Sequence, residues 1–404
     1  MTWKKIIEDD KQYVSKIHEI AFLFEKRIKI ENDFLFTGKL GISLFCFNYG
    51  RLFNNDKFIE IGYKYLEKSF KAINSSISGY SLSNGICGFY WLLKELEKEE
   101  FITKEIFENW NIIEESLVQR INYEINTKNW DFLHGIMGIV WCFFKFNQVL
   151  LREFSLPLLE QFESQGINLD DGSIAWHAYK VNHDKSVNKI YSMGLAHGIP
   201  GIILILSNLT KYNIESNISK ELLNRSFLFI KNHPLDFEKF NYYFPQYIDL
   251  PDGTYSSRNR LAWCYGDLGL GFGLFKGGLN YSNNEMSKLG LKVLMNCSTK
   301  KSFEETLTVD AGFCHGTVGN AHIFNRLYQE TNIIEFKKAA QFWYEKTLQF
   351  ATFNNGCAGY KSYDSDNKWI KNYGLLEGAA GIGLSLMSAI SENEPSWDNC
   401  FLLS

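Results

Sequence analysis

Gly135-Ile136-Met137-Gly138-Ile139-Val140-Trp141-Cys142-Phe143-Phe144 is a pair of glycines three apart, followed by six consecutive apolar residues. A helix built on that run is apolar on every face, so it belongs in an interior where all sides are covered. The pattern recurs as Gly38-Lys39-Leu40-Gly41, Gly85-Ile86-Cys87-Gly88, Gly198-Ile199-Pro200-Gly201, Gly266-Asp267-Leu268-Gly269, Gly316-Thr317-Val318-Gly319 and Gly378-Ala379-Ala380-Gly381. The first glycines are 47, 50, 63, 68, 50 and 62 residues apart. One Gly-x-x-Gly carries little information, but seven at near-regular spacing over 404 residues define an internal repeat.

Between the motifs lie stretches with charges on one face, such as residues 58–71 and 103–121. Each step therefore has room for one buried helix, one amphipathic outer helix and their connections. Seven steps predict fourteen helices. The expected fold is all-α: an α/α toroid of seven inner and seven outer helices, a single domain over residues 1–404. The glycines are expected to let the inner helices approach closely. An open superhelical solenoid is the alternative, and it needs polar capping repeats at its ends. The last repeat, residues 373–390, is as apolar as the middle ones, which favours closure.

Composition narrows the function. Hydrophobic residues are 45% and aromatics 16%, with only 6 Pro, so there is ample core and no Pro-rich linker. Formal net charge is −4, from 42 basic and 46 acidic residues, which gives no electrostatic case for nucleic acid or an anionic membrane. The N-terminus turns acidic by Glu8-Asp9-Asp10, unlike a secretory signal. Apolar runs such as 199–206 fall short of the ~18 residues of a membrane span. The eight cysteines are scattered, with Cys46, Cys87 and Cys142 inside apolar runs, a pattern that suits a reduced cytoplasm.

Two blocks carry chemistry: Trp263-Cys264-Tyr265-Gly266 and Phe313-Cys314-His315-Gly316. Each cysteine stands two residues before a motif glycine, in successive repeats. Two thiolates and an imidazole make a three-ligand zinc set, and three protein ligands leave a tetrahedral ion one open position. Cys297 and Cys357 occupy no motif position and read as structural. His197 directly precedes Gly198, and Asp131 stands four residues before Gly135. If the inner helices run parallel, all these residues reach one rim. The aromatic-rich segment 237–255 precedes the first cysteine block and is a candidate lining of the mouth.

With these residues in view, the chain resembles the lanthionine synthetase C family, the cyclases of lanthipeptide biosynthesis. The resemblance runs through all seven motifs. It is most specific at Arg260-Leu261-Ala262-Trp263-Cys264-Tyr265-Gly266, at Cys314-His315-Gly316 and at Gly194-Leu195-Ala196-His197-Gly198-Ile199-Pro200-Gly201. It implies an α/α toroid and a zinc enzyme that adds cysteine thiols of a dehydrated precursor peptide to dehydroalanine or dehydrobutyrine, forming thioether rings. It implies zinc ligation by Cys264, Cys314 and His315. It carries the family's catalytic histidine onto His197, its acidic residue onto Asp131, and its Arg and Tyr flanking the first cysteine onto Arg260 and Tyr265. A dehydratase and an exporter complex are further candidate partners, and a cytoplasmic location follows, with peripheral membrane association through those partners. Some members carry a small β-rich appendage, for which the gaps 138–198 and 201–266 have room.

The residues suit that chemistry. A metal lowers a thiol pKa from its usual ~8.5. The thiolate attacks the β-carbon, and the α-carbon of the resulting enolate needs a proton, for which His197 is the candidate acid and also a candidate first acceptor of the thiol proton, or else a capping or core histidine. Asp131 is a candidate orienter, or simply an acid at a helix N-terminus. Arg260 is a candidate to stabilise the enolate or restrain the acidic partner, or else a surface arginine; Tyr265 is a candidate donor to the thiolate or the enolate, or else a packing aromatic. His134 departs from the family pattern and adds a histidine at the rim, to be read as a second acid–base group, a peptide contact or a structural histidine, with the last two preferred. Three rival readings remain open: a prenyltransferase-like zinc-thiolate alkyltransferase, a non-catalytic peptide- or thiol-binding scaffold, and a glycosidase. The last needs two opposed carboxylates, and only Asp131 reads as lying clearly on the rim.

Overall fold

In the computed structural model, residues 3–26, 29–76, 79–103, 110–181, 186–250, 253–256 and 258–404 are described. Helix α1 (Lys11–Glu25) precedes the first motif. Then α2 (Lys39–Leu52) and α3 (Asp56–Ser76) follow motif one, α4 (Ile86–Lys98) and α5 (Trp110–Glu124) motif two, and α6 (Ile136–Phe146) and α7 (Gln148–Ser164) motif three. Motif four opens α8 (Ile199–Lys211), followed by α9 (Ser216–Asn232) and the short α10 (Phe237–Phe240). Motif five opens α11 (Asp267–Tyr281), with α12 (Asn284–Thr299) and the short α13 (Phe303–Thr306) behind it. Motif six opens α14 (Thr317–Thr331), with α15 (Ile334–Gln349), and motif seven opens α16 (Ala379–Ile390). Among the described residues each motif thus starts a buried helix, as the repeat predicts. Of the expected helix at 103–121, residues 104–109 lie outside the described residues and the rest is α5.

The chain divides into two compact units, Met1–Glu114 with Thr308–Ser404, and Glu115–Leu307. In the first, α16 packs on α2, α14 packs on α16, and α1 packs on α16. The seventh repeat therefore takes its partner helix from the start of the chain. The N-terminal strand-like segment reinforces this junction: Ile6 N–H donates to Ala389 O at 3.1 Å, and Trp3 Nε1 donates to Ser388 O at 3.0 Å. First and last repeats side by side leave no free solenoid end here, which removes the open alternative. In the second unit α8 lies between α6 and α11, with α7, α9 and α12 packed behind them.

The strands fall mainly in the two longest gaps between motifs. β1 (Ile167–Asn168) pairs with β2 (Ile174–Ala175), and β3 (Ala178–Val181), β4 (Val187–Ser192) and β5 (Tyr247–Asp249) form an antiparallel sheet in that order. A last pair, β6 (Ser362–Tyr363) and β7 (Trp369–Ile370), lies in the first unit.

The glycines have a different cause from the one expected. None of the seven N-cap glycines brings a side-chain cap. A looping segment caps instead. The N–H of Lys39, Ile86, Ile136, Thr317 and Ala379 each donates to the carbonyl seven residues earlier, at 3.0–3.1 Å, satisfying a donor that a helix start would otherwise leave orphaned. This folds the incoming loop back over the helix start. A Cβ on Gly266, itself at φ +90°, would lie 2.0 Å from Arg260 O, and one on Gly319 1.8 Å from Phe313 O. In both cases the obstruction is the carbonyl six residues before. The glycines mainly admit their own loop; contact with the neighbouring repeat, as between Gly41 and Leu375, comes second.

Counting the loop from the residue six before the first glycine, positions one, four and six have distinct duties. Position one is Asn32, Asn129, Ser192, Asp310 or Asn372, whose side-chain oxygen accepts the N–H two residues on. Position four is a fully buried plug: Leu35, Leu82, Leu195, Trp263, Phe313 and Leu375 are all at 0% exposure. Burying one such side chain is worth about 1.5–3 kcal/mol. Position five stays buried in most repeats, from Phe36 and Ala196 at 0% to Cys264 at 3% and Cys314 at 7%, whereas position six lies at or near the surface of the helix start. Position six is always polar: Thr37, Asn84, His134, His197, Tyr265, His315 and Glu377.

Candidate active site and metal ligands

Loops three and four, both in the Glu115–Leu307 unit, bring Asp131 and His197 together. His197 Nδ1 lies 2.7 Å from Asp131 Oδ2. The other carboxylate oxygen accepts the His134 backbone N–H at 2.7 Å, so Asp131 closes its own loop as well as holding the imidazole. Both side chains keep about a fifth of their surface exposed, 21% for His197 and 19% for Asp131. Burial pulls the His197 pKa down. The charge and hydrogen bond of Asp131, with the Cys264 thiol as a further negative neighbour, outweigh it and leave the pKa raised. For Asp131 burial pushes up, but His197 and His134 together hold the carboxyl below its ordinary value. With Nδ1 engaged, Nε2 is the ring nitrogen left for a reacting group.

Position six of loop five is Tyr265, whose ring centre lies 5.4 Å from that of His197. Cys264, just before it, is 3% exposed. Asp131, His134, His197 and Tyr265 line a cavity of about 500 Å³. Trp176 and His177, just before β3, and Tyr179 within it also line this cavity. Trp176 is fixed by stacking on Phe162, with ring centres 3.9 Å apart, and by donating from Nε1 to Phe162 O at 2.8 Å.

Those three residues were not anticipated from the sequence, where the aromatic segment 237–255 was the candidate lining. Among the described residues of that segment none lines this cavity. Phe240 and Tyr242 line a separate one of about 420 Å³. Tyr243 and Phe244 instead donate their backbone N–H groups to Asp267, at 2.7 and 3.1 Å. Burial drives the Asp267 pKa up to about 7 against those bonds. Arg260 occupies position one of loop five, where its carbonyl covers Gly266 and its N–H donates to Asn259 Oδ1 at 2.8 Å. Its side chain is not part of the cavity lining.

The Cys314–His315 pair belongs to the other unit, at positions five and six of loop six. Phe313 plugs the loop against Phe401, with ring centres 4.1 Å apart. The N–H groups of Phe313 and Cys314 both donate to Leu376 O at 2.9 Å, tying loop six to loop seven. The Cys314 sulfur and a His315 ring nitrogen lie within 4.8 Å. His315 Nδ1 lies 3.9 Å from Glu377 Oε1. None of the eight cysteines forms a disulfide, and all are buried. Cys297 is pushed well up by burial, as is Cys357 to a lesser degree, which fits inert packing thiols.

Against known proteins, the model of the lanthionine synthetase C-like protein family matches residues 29–402, and the chain belongs to that family. It is 25% identical over 356 residues to the nisin biosynthesis protein NisC of Lactococcus lactis subsp. lactis, covering 78% of this chain and 80% of that one. Its structure matches a solved nisin cyclase with a TM-score of 0.73 at 18% identity, over 98% of this chain and 97% of the other. The all-α, α/α-toroid class expected from the seven motifs is therefore the fold of this chain. Among the described residues no helix is long and apolar enough to cross a membrane.

Proposed function

We propose that the protein is a zinc-dependent lanthipeptide cyclase, which adds cysteine thiols of a dehydrated precursor peptide to dehydroalanine or dehydrobutyrine. The observation that carries this reading is the Asp131–His197 pair at 2.7 Å, facing a cavity of about 500 Å³. A cavity of that size suits part of a peptide chain.

Cys264, Cys314 and His315 would hold the metal. Two thiols and an imidazole are the donor types zinc prefers. The Cys314–His315 spacing, within 4.8 Å, allows two ligands of one tetrahedral ion, which need about 3.5 Å from the bond lengths. Glu377 Oε1 lies 3.9 Å from Nδ1 of His315, near enough for its charge to act on the ring but beyond hydrogen-bond reach, so it does not select the ligating nitrogen. The chemistry a bound zinc supplies is acidification of a thiol at the coordination position that three protein ligands leave open.

The rest falls to the chain. His197, whose raised pKa favours the protonated form, gives the Nε2 proton to the α-carbon after the C–S bond has formed. Asp131 holds the ring at Nδ1 and stabilises its charge. Tyr265 offers a hydroxyl to the developing enolate oxygen. Arg260 stands in the loop-forming role, a supporting part at most. The reaction moves one proton from sulfur to carbon and consumes no co-reactant. We also take residues 1–404 as one domain, since the family match runs through both units. The cytoplasm is the proposed location, with the precursor peptide as partner and a dehydratase and exporter complex as further ones.

The test is to incubate the zinc-loaded protein with a dehydrated, cysteine-containing peptide. Loss of free thiol at constant peptide mass is expected. Thiols that stay alkylatable in full would sink the cyclase reading and leave the binding-scaffold alternative.

A further inference from the structure

His134 has no part in the reaction as set out above, yet it stands in the same cavity. It occupies position six of loop three, the place His197 holds in loop four. The two rings are nearly parallel, 11° apart, with centres 5.9 Å from each other. Both are tethered to Asp131, one through its ring and the other through its backbone N–H. Of the two, His134 is the exposed one. A histidine needed only for packing belongs under cover, and one needed only for the loop requires nothing beyond its backbone.

We propose that His134 is a second acid–base residue of the cyclase, accepting the proton that the substrate thiol gives up while His197 delivers one to carbon. This rests on the cyclase reading above. In the step the S–H bond breaks and its proton passes to a ring nitrogen of His134. The C–S bond forms, and the α-carbon takes the Nε2 proton of His197. His134 then carries a charge that His197 has lost. Return of that proton across the short gap between the rings, by way of water, restores both, so nothing external is consumed.

The surroundings support the division of labour. Partial desolvation in the cavity lowers the His134 pKa, opposed by Asp131 and assisted by the charge of His197. The remaining charged or titratable side chains on the cavity wall are Glu124, Lys128, His177 and the tyrosines. A neutral imidazole beside one favoured as imidazolium is the arrangement in which one group works as base and the other as acid.

The experiment compares wild type, His134→Asn and His197→Asn on a dehydrated cysteine-containing peptide, following thiol loss across pH 5.5–9, with zinc content and thermal midpoint measured for each. Asparagine at 134 keeps the backbone bond to Asp131 and sits on an exposed position. His134→Asn is expected to lower kcat about tenfold to a hundredfold, with KM and zinc content little changed. It should also abolish the fall in rate on the acid side that protonation of His134 causes in wild type, and added imidazole should restore part of the loss. If wild type and His134→Asn share the same kcat and the same acid limb while His197→Asn is crippled, the inference is wrong and the cyclase reading stands. If wild type itself leaves every thiol free, both fall together.

Discussion

The molecule contains two histidine–aspartate contacts of the same length, in different units. His197 meets Asp131 at 2.7 Å, and His322 meets Asp398 at 2.7 Å. The first pair borders a cavity with each side chain about a fifth exposed; the second is wholly buried. Asp398 is shared with Arg326, which reaches it with Nε at 2.6 Å and Nη2 at 2.7 Å. That cation changes the outcome. Burial lowers the His322 pKa, and Arg326 adds to the effect against the pull of Asp398, so His322 stays neutral. At His197 no such cation intervenes, and the same contact leaves the pKa raised. A short contact therefore does not mark an acid–base residue. Access, and the charge count around the carboxylate, decide whether the pair does chemistry or holds the fold.

The largest effect should come from the cavity-facing pair. His197→Asn is expected to lower the rate of ring formation by about 10²–10⁴-fold, the usual contribution of a general acid, while leaving the thermal midpoint near wild type. Thiol-loss kinetics at saturating peptide, with a melting curve alongside, checks both halves. An unaffected rate would remove His197 from the acid role.

The buried pair should break the other way. Asp398→Ala removes the buried partner of Arg326 and leaves the largely exposed Glu394, at 2.5 Å, as its remaining carboxylate, so it is expected to cost about 3 kcal/mol of stability, the low end for a broken buried pair. Neighbouring contacts depend on the same terminal segment: Asn399 accepts from Trp91 Nε1 at 2.6 Å and donates to Glu95 Oε2 at 3.0 Å. Urea denaturation measures the loss, and the protein that remains folded should cyclise at the wild-type rate. A large drop in kcat with unchanged stability would contradict the division drawn between the two pairs.

Asp131→Asn is the intermediate case. The amide oxygen can still accept the His134 N–H, so the loop survives, but the negative charge that raises the His197 pKa is gone. A loss of about tenfold to a hundredfold in kcat is expected, as for outer partners of a catalytic or ligating histidine. The high-pH limb of the rate profile should move to lower pH, because His197 gives up its proton more easily. A profile that stays in place would show that Asp131 serves the loop alone.

How much of this could be read from the chain depends on how local the cause is. The glycine motifs are local, and each of the seven located the start of a buried α-helix among the described residues. The reason for them is also local but was misassigned: the carbonyl of Phe313, not a neighbouring helix, is what excludes a Cβ at Gly319. The turn-forming residue at position one, such as Asn129 or Asp310, is equally visible once the loop length is known, and the loop length appears only in the hydrogen bonds. His197 and Asp131 were legible because each has a fixed offset from a glycine. The Trp176–Tyr179 lining was not, since it reaches the cavity from the β2–β3 connection and β3, which carry no repeat signal. Closure by α1 against α16 joins residues nearly a chain length apart, and apolar patterning suggested it without naming the partner helix.

The smallest prediction opposes the two histidines directly, through the sign of their effect on stability. A histidine whose folded pKa is raised adds stability that is fully present below its unfolded value, near 6.5, and is lost as pH rises through the folded value. One whose folded pKa is lowered adds none of this; instead the unfolded chain binds the proton first, and stability falls as pH drops below about 6.5. The urea midpoint of wild type minus that of His197→Asn should therefore be larger at pH 5.5 than at pH 8.5. For His322→Asn the same difference should be smaller at pH 5.5 than at pH 8.5. Both differences also contain pH-independent packing losses, greater for the buried residue, but those cancel when one pH is compared with the other. If the two variants shift in the same direction, the contrast in their electrostatic surroundings is wrong, and the shared 2.7 Å contact alone would be governing both histidines.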